Sequence, residues 1–264
     1  MIVTYLCRYF AGKHRESEVT LELISGPVVT SSSVALPTSV QLVQTIPTAQ
    51  NSHSVAHGRA GQVYVGTQEG VRIITTYGGS HAVISTNTCV YRVGVSGDDI
   101  CTLRSKNDEL WIVDLYDTDY RLTRSWEYKK KLGGYITAQM ALRKESVLIS
   151  DGRTITEYKL NGRVKREVSY EEIQHFLLSL CAMLRSDDVI GVDGKNRLHR
   201  LNFIARRCVW SKGMDQQPAV CCDETDRVFV AVKHESGEIA VAVLDSNTGE
   251  FRSVRQTFYV VRVM

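Results

Sequence analysis

The sequence predicts an all-β chain folded as a β-propeller of four-stranded blades, and three observations carry that prediction. First, one pattern recurs at least five times: an apolar run, a polar turn, a second strand-like run, a break and a third run, as in Val189 to Trp210. Second, the turns hold the residues that tight hairpins need. Third, the last run of each unit carries more charge, as suits an exposed edge that must not pair with a neighbour.

The period is read from the strand before each polar turn. These strands begin at Val63, Ile100, Val147, Val189 and Val228, spaced by 37, 47, 42 and 39 residues. Repeats of this length with several strands each are the mark of propeller blades. The turns that follow are Gln68-Glu69-Gly70, Ser105 to Asp108, Asp151-Gly152-Arg153, Asp193 to Asn196 and Glu235-Ser236-Gly237. Gly and Asn tolerate positive φ, and Asp bonds its own backbone.

The third strands are VRIIT (71–75), LWIVDL (110–115), TITEYKL (154–160), RLHRL (197–201) and EIAVAVL (238–244). The outer strands are HAVIS (81–85), YRLTRSWEY (120–128), RVKREVSY (163–170), RRCVW (206–210) and FRSVRQTF (251–258). The innermost strands precede the aligned ones: HSVAHG (53–58), VYRVGV (90–95), YITAQMAL (135–142), FLLSLCAML (176–184) and PAVCCD (218–223). They are apolar and rich in small residues, which lets them crowd around an axis. Blades bury both faces, so alternation is blurred in runs such as VIGV. Tyr170 to Leu178 is the one helix candidate, and its Phe176 end reads equally well as an inner strand.

The domain organisation is an irregular segment over 1–50, then a propeller over 51–264. Five blades are explicit. A sixth is expected from both ends, with YVVRV (259–263) as inner strand and EVTLELIS (18–25) and SVQLVQT (39–45) contributing. The competing reading is an incomplete propeller behind a leader.

Composition sets limits. The chain has 264 residues and a net charge of +3, too small to imply a polyanion partner by itself. Its seven cysteines include no CxxC and mostly sit in apolar runs, which reads as free thiols in a reducing compartment. No stretch approaches about 18 uninterrupted apolar residues, the length a membrane helix needs. A soluble cytoplasmic protein without membrane attachment is the expectation.

SVQLVQTIPT (39–48), SVAHGRAGQVYVGTQEGVRIIT (54–75), WIVDLYDTDYRLTRSWEY (111–128) and DVIGVDGKNRLHRLN (188–202) together resemble NHL-type six-bladed propellers. The likeness is to divergent versions at the C-terminus of invertebrate tripartite-motif-like proteins. It covers about 220 residues and rests on blade pattern. WD-repeat propellers are the near competitor, but no Gly-His start with a Trp-Asp end recurs. The resemblance implies a partner-binding module, often joined to RING, B-box and coiled-coil segments that confer ubiquitin ligation. No paired Cys/His zinc spacing and no sustained heptads occur here, so ligase chemistry cannot reside in these residues.

Catalytic motifs are missing: no GxSxG, HExxH, Walker A or GxGxxG. No catalytic residue, metal ligand or cofactor is assigned. His53 and His57 are read as channel-wall residues, and His234-Glu235 as a solvated turn. The acidic pairs Asp98-Asp99, Asp187-Asp188 and Asp223-Glu224 recur between inner and second strands, where carboxylates bond turn amides; axial calcium, as in some six-bladed hydrolases, is the minor alternative. A protein partner is the expected ligand, with oligomeric state undetermined. It would dock on the rim made by the turns after the aligned strands and by the outer-to-inner connections. That rim holds Gln68, Glu69, Lys106, Asn107, Lys129, Lys130, Arg153, Lys195, Asn196, Arg197, Met214 and Gln216. The alternative is single-stranded RNA on a basic rim of Lys129-Lys130-Lys131, Arg197 with Arg200, and Arg206-Arg207, flanked by Tyr128 and Tyr135.

Overall fold

The computed structural model describes residues 2–6, 22–26, 53–58, 62–75, 80–107, 109–129, 138–152, 154–173, 176–223, 225–233 and 238–259. Every element among them is a strand. β1 (Ile2–Leu6) pairs antiparallel with β2 (Glu22–Gly26). Five four-stranded antiparallel sheets follow in chain order. The first holds β3 (Ser54–His57), β4 (Gln62–Thr67), β5 (Gly70–Thr75) and β6 (Ser80–Ser85). The second holds β7 (Val90–Ser96), β8 (Asp99–Ser105), β9 (Leu110–Tyr116) and β10 (Leu122–Lys129). The third holds β11 (Gln139–Arg143), β12 (Ser146–Asp151), β13 (Thr154–Lys159) and β14 (Val164–Ser169). The fourth holds β15 (Leu177–Ala182), β16 (Asp188–Asp193), β17 (Arg197–Asn202) and β18 (Arg207–Gly213). The fifth holds β19 (Ala219–Cys222), β20 (Val228–Lys233), β21 (Glu238–Leu244) and β22 (Phe251–Tyr259).

The inner strands β3, β7, β11, β15 and β19 abut in chain order, so the sheets array around an axis as a β-propeller. β1 lies against both β19 and β3.

The apolar core is a series of slabs between successive sheets. The strand period of two explains how one strand feeds two slabs. In β12, Val147 and Ile149 pack with the second blade around Trp111 and Val113, while Leu148 points the other way toward Leu180 and Val189 of the fourth. In β16, Val189 turns to the third blade, while Ile190 and Val192 turn to the fifth with Val228 and Val230. The β12 and β16 side chains named here are each at most 2 % exposed. Full burial of such a residue stabilises by about 1.5–3 kcal/mol. This two-sided burial is why the apolar runs show little alternation.

Polar groups tie neighbouring blades where slabs end. The Val93 N–H donates to Ser54 Oγ at 3.0 Å, and Arg200 Nη1 donates to the Ser246 carbonyl at 2.6 Å. Asp187 accepts from Arg143 at 3.3 Å and from Arg166 at 3.2 Å, joining the third blade to the fourth.

Four sequence expectations need correction or placement. The helix candidate over 170–178 is a turn followed by β15, because Tyr170 and Ile173 bury in the slab between third and fourth blades. The inner strand expected from Tyr135 begins only at Gln139 among the described residues. Tyr259 ends β22 as an outer-strand residue, because it pairs with Glu238, and does not open a sixth inner strand. The remaining tail and SVQLVQT lie outside the described residues, while EVTLELIS overlaps β2.

Candidate interaction rim

Antiparallel pairing sets which loops share an edge. Ser54 lies opposite Gly66, Gln139 opposite Ser150 and Leu177 opposite Asp193. The start of each inner strand is therefore beside the end of the second strand. Inner-strand starts and second-to-third turns meet on one edge of the ring.

Backbone bonds weld this edge. The Thr86 N–H donates to the Glu69 carbonyl at 3.0 Å, and the Met214 N–H to the Asn196 carbonyl at 3.1 Å. Each ties an outer-to-inner connection to a turn of its own blade. The Leu177 N–H donates to the Gly152 carbonyl at 3.2 Å, tying the fourth blade to the third.

The turns are built by their own polar side chains. Asn107 Oδ1 accepts from the Glu109 and Leu110 amides at 2.9 and 2.8 Å. Asp193 Oδ1 accepts from the Lys195 and Arg197 amides, each at 2.9 Å, while Oδ2 meets His199 Nε2 at 3.1 Å. Burial opposes the charged form of Asp193, but the Arg197 amide, His199 and the Lys195 amide outweigh it and hold its carboxyl below the usual range. Asn196 occupies the left-handed region at φ 61, where Asn is among the tolerated residues.

The expected rim residues therefore divide by role. Gln68, Lys129, Lys195 and Arg197 are exposed, and none of these three cations pairs with a described carboxylate. Glu69 is exposed with Arg72 at 3.8 Å, and Lys106 Nζ meets Glu127 at 2.6 Å. Asn107 and Asn196 shape their turns. Met214 packs partly into the slab between fourth and fifth blades, and Gln216 is half-buried. Lys130 and Arg153 lie outside the described residues.

The basic candidates are not gathered. Arg200 is engaged by Asp188 and Ser246, and Arg206 is exposed in a third-to-outer turn on the other edge. Tyr128 packs against Tyr158, with ring centroids 6.0 Å apart. Lys131 and Tyr135 lie outside the described residues.

The acidic pairs differ from expectation in part. Asp223 bonds the Thr225 and Arg227 amides, as turn chemistry requires. Asp188 instead accepts from Arg200 and Asn202, and Asp187 from Arg143 and Arg166. A buried or bridging carboxylate needs a cation: Arg200 of the same blade supplies it to Asp188, and Arg143 and Arg166 of the third blade supply it to Asp187. Among the described residues, no three His, Cys, Asp or Glu are grouped to hold a metal ion, and no helix is long and apolar enough to cross a membrane.

One rim residue escaped the sequence reading. Arg92, in the inner strand β7, spends its guanidinium on three blades at the axial side of this edge. Nε donates to Gln139 Oε1 at 3.0 Å, and Nη1 donates to the Tyr91 and His53 carbonyls at 2.7 and 3.3 Å. Burial lowers its pKa to about 10, so it stays charged at neutral pH. Burial, then Arg92 itself, lowers the pKa of His53. The available signal was one arginine in the apolar run VYRVGV.

No family model matches the chain, and no curated protein does. Solved structures do. A protein of unknown function from Bacteroides caccae superposes with a TM-score of 0.65 at 14% identity, over 96% of this chain and 93% of that one. The WD40 β-propeller domain of Doa1 superposes with a TM-score of 0.58 at 10% identity, over 93% of this chain and 80% of that one. At these identities the likeness speaks to the propeller fold.

Proposed function

We propose that this chain is a non-catalytic interaction module that binds a protein partner through the rim carrying Gln68, Lys129, Lys195 and Arg197. The observation that supports it is the construction of that edge. Its turns are braced by Asn107 and Asp193 and bonded to the neighbouring connections, yet long polar side chains stand exposed on them. A braced loop loses little conformational freedom on docking, which favours association. Propeller folds commonly serve as protein-interaction modules, and the Doa1 likeness supports that class.

The finer reading is an NHL-type ring of six blades, closed by β1 and β2 between the fifth and first blades. The position of β1 against β19 and β3 supports the closure. The resemblance to tripartite-motif-like proteins supports a role as the recognition part of a ubiquitin ligase whose catalytic segments lie outside these residues. Free thiols at the described cysteines support a cytoplasmic setting. RNA binding has less support, because the described basic residues divide between two edges.

The test uses the full chain and a partner obtained with it. Lys195→Glu with Arg197→Glu should weaken capture about tenfold or more without moving the melting temperature, whereas Arg206→Glu should leave capture unchanged. Equal capture by the rim variants, with loss in Arg206→Glu, would move the docking face to the other edge. A steep salt-dependent shift with single-stranded RNA would replace the protein reading.

A further inference from the structure

Arginines that are buried or half-buried among the described residues follow a rule, with one exception. Arg104 pairs with Asp114, Arg143 and Arg166 with Glu157 and Asp187, Arg200 with Asp188, Arg227 with Asp223, and Arg72 with Glu69. Arg92 pairs with no described carboxylate. Its acceptors are an amide oxygen and two carbonyls, all neutral. Neutral acceptors satisfy hydrogen bonds but do not cancel a desolvated charge, and an uncompensated buried ion is costly.

The remaining donor is specific. Nε and Nη1 are committed to protein acceptors, whereas Nη2 donates to no described residue. Arg92 lies near the start of β7, opposite Leu103 toward the end of β8, and so sits on the axial side of the same rim as Lys195 and Arg197. Three blades hold the guanidinium, so it is positioned before any ligand arrives.

We infer that Arg92 is an anion receptor at the axial mouth of the rim, taking a carboxylate from an acidic segment of the partner protein. This inference rests on the rim reading above and adds the chemistry of the ligand. One terminal amine suits one carboxylate oxygen, and a charge-assisted bond to a fixed, desolvated guanidinium is among the stronger polar contacts. A phosphate dianion asks for more donors than Nη2 has left. Lys129, Lys195 and Arg197 around the rim, exposed and without a described carboxylate partner, favour an acidic segment over a neutral one.

The probe is a capped hexaglutamate peptide, with capped hexaglutamine and inorganic phosphate as controls, all titrated into the full chain. Hexaglutamate should bind, shift the Arg92 side-chain Nε–H resonance of the wild-type protein, and lose roughly 30-fold or more in affinity in Arg92→Gln. Binding with an unmoved Arg92 resonance, or equal affinity in a folded Arg92→Gln, overturns the inference and leaves the rim reading intact. A resonance that moves with phosphate but not with hexaglutamate overturns the carboxylate assignment. No binding by hexaglutamate overturns the inference as well, while the rim reading is judged separately by Lys195→Glu with Arg197→Glu on the captured partner. Should Arg92→Gln fail to fold, the wild-type resonance decides.

Discussion

Gly249 lies flat against the indole of Trp210, so close that an added Cβ would stand 2.9 Å from the ring. Trp210 is on the outer strand of the fourth blade and Gly249 in the last turn of the fifth. The same relationship recurs at the second-to-third seam, where a Cβ added to Gly162 of the third blade would stand 3.0 Å from the Trp126 indole of the second. At the fourth-to-fifth seam the ring is also hydrogen-bonded, with Trp210 Nε1 donating to the Ser246 carbonyl at 2.9 Å. Outer strands carry few apolar residues, so a tryptophan folded over the next blade's turn seals the periphery of the slab.

Gly249→Ala should therefore destabilise the fold by about 2 kcal/mol, and Gly162→Ala by a similar amount. Two causes add. Both glycines hold positive φ, 73 and 80, which an L side chain resists, and both would push a methyl group into an indole. Urea denaturation followed by tryptophan fluorescence reads both. A loss under about 0.5 kcal/mol in each variant would mean that the turns shift freely and the contact is incidental.

Glu157 is wholly buried and accepts from Ser146, Arg166 and Lys165, with Arg143 at 3.8 Å. Burial alone would raise its pKa, but the bonds from Ser146, Arg166 and Lys165 outweigh it and hold the carboxyl below its ordinary value. The sign follows: the native state binds this proton less readily than the unfolded chain. The stabilisation is complete above about pH 5.5 and fades as pH falls through the ordinary carboxylate range toward the lowered native value. Glu157→Gln should cost about 3 kcal/mol at pH 7 and less at pH 4, because the wild type loses its advantage there. Denaturation at the two pH values measures this. An equal cost at both would show that shape, not charge, carries the contribution.

Cys181 and Cys222 bring their Sγ atoms to 3.0 Å across the fourth and fifth blades. The hydrogen bond with Cys181, then burial, pushes the Cys222 thiol well up, and burial with the charges of Asp114 and Asp99 does the same for Cys101. Burial raises Cys89 and Cys208 to about 11. Thiolate is the reactive form, so iodoacetamide at pH 8 should leave these four unmodified in the native protein. All seven cysteines of the chain should react in denaturant. Peptide mapping by mass spectrometry reads the pattern, and rapid native labelling of Cys101 would contradict its buried placement.

The strand order was legible because each turn announces itself. Asp193, Gly194 and Asn196 mark a hairpin whatever surrounds them, and five such marks set a period. The closing elements were less legible. Ile2–Leu6 has no turn chemistry linking it to Glu22–Gly26, so it read only as a short apolar run. The ionic seams were hidden for another reason. Arg143 and Arg166 of the third blade meet Asp187 of the fourth through register between blades, and local pattern carries no register between blades. Arg92 was visible as a charge in an apolar strand, but its lack of a counter-ion among the described residues is a three-dimensional fact.

Asp193→Ala tests the bracing of the rim itself. The change removes the acceptor of the Lys195 and Arg197 amides and the partner of His199 in one step. Hydrogen bonds to a charged acceptor are worth about 1.5–3 kcal/mol, so the expected loss is about 2–3 kcal/mol. Asp193→Asn keeps a side-chain oxygen for both amides and should lose roughly half as much. Hydrogen exchange separates bracing from global stability. In Asp193→Ala the Lys195 and Arg197 amides should exchange faster than the fall in global stability accounts for, while the amides of β12 should track it. If the turn amides quicken only in step with the core, the carboxylate is a general contributor to stability, and the preformed rim loses its support at the fourth blade.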